Sequence, residues 1–142
     1  MFGNGYFNTG SGSGSVVVLK QSLTAADIQS LFTVPIDLIA FFPLSIGKYW
    51  RIIECDVNYT PGAIAFTNII QVWTNSAAQN QYNYDLATSA LSPNFGSFVD
   101  RRPVTNSTVY RVNKSLLITA DADSATGDGT VDIYITAELV TL

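Results

Sequence analysis

Four aspartates, Asp121, Asp123, Asp128 and Asp132, fall in one run of twelve residues, DADSATGDGTVD. A calcium loop of that length uses oxygen ligands at its first, third, fifth and twelfth places, with a glycine at the sixth. The run supplies Asp at the first, third and twelfth. It departs from the pattern at Ala125, at Thr126 in the glycine position, and at Asp132, where a longer bidentate Glu is expected. The simpler reading is a hairpin turn in which Gly127 and Gly129 take positive φ and Asp128 bonds the local backbone. No metal or other cofactor is expected.

The remaining candidates for chemistry are sparse. The chain contains no histidine, which removes the commonest general base and the commonest metal ligand. A nucleophilic Ser or Cys needs a base and an orienting group, and a conventional triad cannot be assembled here. Glu54 and Asp56 share one face of an expected strand, so a carboxylate pair for glycoside hydrolysis is formally available. Solvated carboxylates at that spacing are common, however, and the protein is not expected to be an enzyme. The single cysteine, Cys55, has no disulfide partner within the chain and reads as a small buried apolar residue.

Two groups of aromatic residues stand out by their surroundings. Tyr82, Tyr84, Phe95 and Phe98 lie in an Asn- and Gln-rich region. Exposed, they would stack on sugars or serve a protein interface; at strand spacing, they are also what a core requires. Phe2, Tyr6 and Phe7 are set among Gly, Ser and Asn in residues 1–15, MFGNGYFNTGSGSGS. Such a segment has too little apolar area to order itself. It is read as a flexible arm whose aromatics anchor on a neighbour, or else as a disordered tail.

The framework for these residues is legible from periodicity. Residues 48–75 read as two long strands joined at Tyr59-Thr60-Pro61-Gly62, expected to form the central hairpin of the fold. Parity slips at Ile52-Ile53, which predicts a bulge. In residues 130–142, Val131, Ile133, Ile135, Ala137 and Leu139 alternate with polar residues, the pattern of a half-buried strand. Further strands are expected near residues 16–20, 36–42, 82–86, 98–99, 107–112 and 115–120. One short helix is expected after Thr24, its N-cap, with Asp27 three residues on and Ile28, Leu31 and Phe32 at helical spacing. Val34-Pro35 ends it. About eight strands without a βαβ rhythm predict an all-β, antiparallel two-sheet sandwich with a jelly roll as its expected form, over residues 16–142.

Composition bounds the partners. The 142 residues suit one domain, and only 13% are charged against 47% hydrophobic, well below the roughly 25% charge usual for soluble domains. A charge-poor surface suits a protein that buries its outside against other subunits. The net charge is −4, with no basic cluster beyond Arg101-Arg102, so a nucleic-acid partner is not expected. No apolar run approaches the ~20 residues that span a bilayer, and no membrane association is expected. The chain does not open on a secretory signal pattern, so synthesis in a cytoplasm is expected.

Three stretches taken together carry a resemblance. LTAADIQSLFTVPIDLIAFFPLSIGKYWRI, then DVNYTPGAIAFTN, then NKSLLITADADSATGDGTVDIYITAEL resemble a group of small tailed-bacteriophage virion proteins. The matching positions are Leu23-Thr24, Pro35, Gly47-Lys48, Tyr59, Phe66-Thr67-Asn68 and Gly127-Asp128-Gly129-Thr130. Phe42-Pro43-Leu44 stands where that group has Ala-Pro-Gly. The resemblance spans roughly residues 23–142 and is loose between 75 and 109. It implies a β-sandwich in a phage particle, in a capsid-decorating, head-fibre or tail-associated role, with no catalytic residues to carry over. The leading expectation is a non-enzymatic capsid decoration subunit made in the host cytoplasm and located in the virion. It is expected to form a homotrimer, to contact the major capsid protein or other virion proteins, and to be anchored by its N-terminal arm. The rival is a tail- or fibre-associated module that binds a host receptor or glycan through the Tyr- and Asn-rich region of residues 79–98.

Overall fold

Val131, Ile133, Ile135, Ala137 and Leu139 are all buried, and each polar residue between them is partly exposed. The alternation in the sequence is thus the pleat of a real strand, and the rest of the fold is laid on either side of it. The computed structural model describes residues 5–8, 15–74, 83–85, 98–103 and 112–142, with side-chain environments for residues 15–72 and 112–142. In chain order its elements are β1 (Gly5–Asn8), β2 (Val16–Leu23), α1 (Ala25–Gln29), β3 (Ile36–Asp37), β4 (Lys48–Thr60), β5 (Ile70–Thr74), β6 (Asn83–Asp85), β7 (Phe98–Pro103), β8 (Leu116–Ala120) and β9 (Thr130–Thr141).

The strands form two antiparallel sheets, in the orders β1-β2-β9-β4-β7 and β3-β8-β5-β6. The protein is an all-β sandwich with one short helix. Four pairings nest inside one another: β2 with β9, β3 with β8, β4 with β7 and β5 with β6. Two more, β4 with β9 and β5 with β8, close the sheets across that nest. The core lies between the sheets and includes Leu19, Leu38, Phe42, Trp50, Cys55, Val57, Tyr59, Ile118 and Ile133. Full burial of a side chain such as Ile133 is worth about 1.5–3 kcal/mol. Leu117, Thr119 and Gln71 are buried too. Leu117 and Thr119 alternate with the core residues of β8, so the smaller sheet is covered on both faces there.

The expected hairpin of residues 48–75 is not formed. β4 pairs with β9 and β7, whereas β5 pairs with β8 and β6 in the other sheet. The second strand begins at Ile70, well past the expected turn at residues 59–62. Residues 61–69 cross between the sheets, and several of their polar groups are bonded along the way, though Asn68 Oδ1 is buried without a partner among the described residues. Thr67 N–H donates to Ser124 Oγ at 2.8 Å, and Asn68 Nδ2 donates to the Ile28 carbonyl at 2.7 Å. Pro61-Gly62 turns the chain but does not dictate which sheet receives it.

The bulge is where parity predicted it: the β4–β9 register shifts between Ile52 and Glu54, so that Ile53 is exposed and Glu54 partly exposed between the buried Ile52 and Cys55. Helix α1 carries a full capping box. Thr24 Oγ1 accepts from Asp27 N–H at 3.3 Å, and Asp27 Oδ2 accepts from Thr24 N–H at 2.8 Å. Ile28 and Leu31 are buried as expected, but Phe32 is 50% exposed because the helix ends before its position. Regular strand structure in the 36–42 region is confined to Ile36–Asp37, since Phe41 and Phe42 N–H turn back to the Leu38 carbonyl. The strand expected at residues 107–112 lies largely outside the described residues.

Residues 1–15 were expected to form an arm without regular structure. Within it, Gly5–Asn8 pairs with β2 as the edge strand of the larger sheet, with Tyr6 opposite Leu19 and Phe7 opposite Val18. Backbone hydrogen bonds to an existing strand order a short segment that composition alone would leave as coil.

Candidate functional site

The aspartate run is the natural first candidate, and its carboxylates are each engaged elsewhere. Asp121 Oδ1 accepts from Ile69 N–H at 2.6 Å. Asp123 accepts from the N–H groups of Phe32 and Thr33, both at 3.0 Å, and from the Thr33 hydroxyl. Asp128 Oδ1 accepts from Ile64 N–H at 2.7 Å. Asp132 accepts from Ser22 Oγ at 2.5 Å and pairs with Lys20 Nζ at 3.2 Å. A cation loop would converge its oxygens on one point. These oxygens serve six residues in three segments, so the run works as a set of clips binding residues 121–132 to the α1–β3 connection, the β4–β5 crossover and β2.

The electrostatics follow from those bonds. The Thr33 hydroxyl and the Thr33 and Phe32 amides hold the Asp123 carboxyl below its ordinary value. The Ile64 and Ala63 amides do the same for Asp128. Asp132 beside Lys20 raises the ammonium. Burial pushes the Cys55 thiol far up, so it is a poor nucleophile. Burial, with Asp128 nearby, also raises Tyr59. Glu54 and Asp56 flank Cys55 on the outward side of β4, half-exposed, with Glu54 opposite Pro103 and Asp56 opposite Arg101 of β7 in register.

Only one of the two glycines expected at positive φ has it. Gly127 sits at φ +117°, with the Phe66 ring packed where a Cβ would stand. Gly129 has ordinary φ and is small for another reason: a Cβ there would lie 2.7 Å from the Tyr59 ring. Three polar residues complete this end, of which Ser124 and Gln29 were not singled out in the sequence. Ser124 is buried, takes the Thr67 N–H and donates to the Thr126 carbonyl at 2.7 Å. Gln29 Nε2 donates to the Gly127 carbonyl at 2.7 Å, and Asn68 anchors on α1. A buried serine in a turn leaves no periodic signal in sequence.

The opposite end of the sandwich has a different surface. Lys48 N–H bonds to the Ser45 carbonyl, Asn113 N–H to the Lys48 carbonyl at 2.8 Å, and Leu142 N–H to the Gly47 carbonyl at 3.1 Å. These bonds bring together three segments that carry Leu44, Ile46, Val112 and Leu142. All four are exposed, Ile46 at 90% and Leu142 at 80%. Large apolar side chains displayed together mark interaction surfaces more often than scattered ones do.

The aromatic candidates divide. Tyr84 lies in β6 opposite Val72, and Phe98 lies in β7 opposite Tyr59, so the two belong to different sheets. Tyr82, Phe95 and Phe2 fall outside the described residues. Tyr6 and Phe7 are in β1, at the other edge of the larger sheet from β7.

Neither a family model nor a curated protein matches the chain. Two solved structures do, both viral. One is a Nora virus structure, at 12% identity and a TM-score of 0.35, covering 98% of this chain and 59% of the other. The second is a virus-like particle of the extra small virus of the giant freshwater prawn Macrobrachium rosenbergii, at 12% identity and a TM-score of 0.27, covering 100% of this chain and 82% of the other. The chain thus spans 59% of the Nora virus chain it resembles. At these scores the likeness is one of loose outline, and the functional reading rests on the molecule's own surfaces.

Proposed function

We propose that the protein is a non-enzymatic structural subunit of a virion, in which the sandwich is a body for assembly. The observation that carries this reading is the exposed apolar end at Leu44, Ile46, Val112 and Leu142, on a chain with only 13% charged residues. The aspartates that could have done chemistry are engaged in holding loops. The nested strand pairing supports reading the sandwich as a jelly roll, an architecture that recurs in capsid domains.

The finer reading follows the sequence resemblance. The subunit decorates the capsid of a tailed bacteriophage, as an auxiliary or head-fibre protein, and contacts the major capsid protein or other virion proteins. It assembles as a homotrimer, with Phe2, Tyr6 and Phe7 anchoring each N-terminal segment against a neighbour. No helix among the described residues is long and apolar enough to cross a membrane.

Cryo-EM of particles assembled with and without the protein tests the role. The expected result is surface density of matching size that disappears when the protein is omitted. Purified particles that lack the protein and look the same either way would overturn it. For the anchor, the triple change Phe2→Ser, Tyr6→Ser, Phe7→Ser is expected to leave the sandwich folded and to reduce retention after a stringent salt wash.

A further inference from the structure

We propose that β1 is an exchangeable strand: Gly5–Asn8 of one copy pairs with β2 of a second copy, in the place its own β1 occupies within a single chain. This rests on reading the N-terminal segment as an anchor, and it names both the neighbour and the mode of attachment.

The seat is built without β1. β2 is held on its other side along its whole length by β9, from Val16 opposite Glu138 to Leu23 opposite Val131. Its Val17, Leu19 and Leu23 are buried in the core. What β1 covers is therefore a preformed row of backbone donors and acceptors, the kind of edge that captures an added strand. The pairing is Gly5 with Lys20, Tyr6 with Leu19, Phe7 with Val18 and Asn8 with Val17, and β1 pairs with no other strand among the described residues.

The connection permits exchange. Asn8 and Val17 are directly opposite, yet residues 9–16, TGSGSGSV, lie between them. A two-residue turn would close such a hairpin. Eight residues reach roughly 26–29 Å when extended, far enough to cross to an adjacent copy. The ladder formed is identical whichever copy supplies the strand, so exchange sacrifices no pairing. Once copies stand side by side, each exchanged strand raises the effective concentration of the next.

The two edges of the larger sheet differ in keeping with this. β7 carries Asp100, Arg101, Arg102 and Pro103, features that block strand addition. β1, GYFN, has neither charge nor proline.

The test uses two full-length variants, Phe7→Cys bearing an affinity tag and Val18→Cys without one. Opposed residues in an antiparallel pair lie about 4.5–5.5 Å apart at Cα, within disulfide reach. Cys55 is buried and stays out of the reaction. After the variants are mixed, re-equilibrated by dilution and reconcentration, and mildly oxidised, the expected product is a tagged–untagged disulfide heterodimer. Its yield should be at least tenfold above that from Phe7→Cys mixed with Ala125→Cys, whose cysteine lies in the exposed turn before β9. Equal yields would overturn the proposal. So would a Phe7→Cys/Val18→Cys double variant that closes only within single chains at every concentration. As a measurement that does not depend on cysteines, deletion of residues 1–8 should lower the mass seen by light scattering, and an unchanged mass contradicts exchange. Loss of particle retention in the aromatic triple variant without any cross-chain disulfide would also overturn exchange, while leaving the anchor itself standing.

Discussion

At one end of the sandwich, residues 24–35, 61–69 and 121–129 are tied to one another by side chains. Asp121, Asp123, Asp128, Ser124, Gln29 and Asn68 each reach across to a backbone group of a different segment. At the other end, the segments around Gly47, Asn113 and Leu142 are tied by backbone bonds. Beneath them, Trp50 meets Phe42 edge-on at 5.1 Å and donates from Nε1 to the Pro43 carbonyl at 2.9 Å. The first end pins its loops to one another with side-chain hydrogen bonds and places carboxylates toward water, although Phe32, Val34 and Ile64 are exposed there and Asn68 Oδ1 is buried without a partner. The second buries its large rings and leaves aliphatic side chains uncovered. The difference is in what holds the loops: side-chain clips at one end, and at the other backbone-tied segments that gather Leu44, Ile46, Val112 and Leu142 where a partner would cover them.

The sharpest break in that comparison is at the rings. Phe42→Ala removes a fully buried side chain that packs on Trp50, and is expected to cost about 3–5 kcal/mol in chemical denaturation. A loss under about 1 kcal/mol would show that packing does not hold this end. At the polar end, Gly127→Ala forces a side chain into the Phe66 ring at a positive φ. It should cost more than about 1 kcal/mol, since an incompatible φ alone outweighs the entropy gained from alanine. Tolerance of alanine would mean that the turn is free to move.

The aspartate clips predict a pH dependence confined to the polar end. Asp123 and Asp128 have folded values below the ordinary 3.8. Their stabilisation is fully present above that ordinary value and is lost as pH falls through the lowered folded ones. The melting temperature should therefore drop on acidification below about pH 4, and the Asp123→Asn, Asp128→Asn variant should show a flatter profile over the same range. An unchanged slope in the variant would mean that other groups carry the acid sensitivity.

These contrasts were unevenly legible in the sequence. β9, the capping box at Thr24 and Asp27, and the bulge at Ile52-Ile53 are written in neighbouring residues, and the structure has all three. The separation of β4 from β5 is not, because which sheet receives a strand is decided by partners far along the chain. β5 takes its register from β8, some 45 residues away. The aspartates announced themselves by type and spacing, but their destinations, from Ser22 to Ile69, are tertiary. Gly129 reads as a turn glycine until the Tyr59 ring is placed beside it. The exposed end was invisible because Leu44, Ile46, Val112 and Leu142 are individually ordinary, and only the fold assembles them.

The smallest effect on stability is expected where the largest effect on assembly should lie. Ile46→Ser with Leu142→Ser removes two exposed apolar side chains and should change unfolding free energy by no more than about 0.5 kcal/mol. The direct measurement is the occupancy of this double variant on purified particles after a high-salt wash, beside the wild type and an Ala122→Ser, Ala125→Ser control at the polar end. Normal folding, reduced occupancy for the apolar-end variant and wild-type occupancy for the control are the expected results. Wild-type occupancy for both would contradict an assembly role for the apolar end.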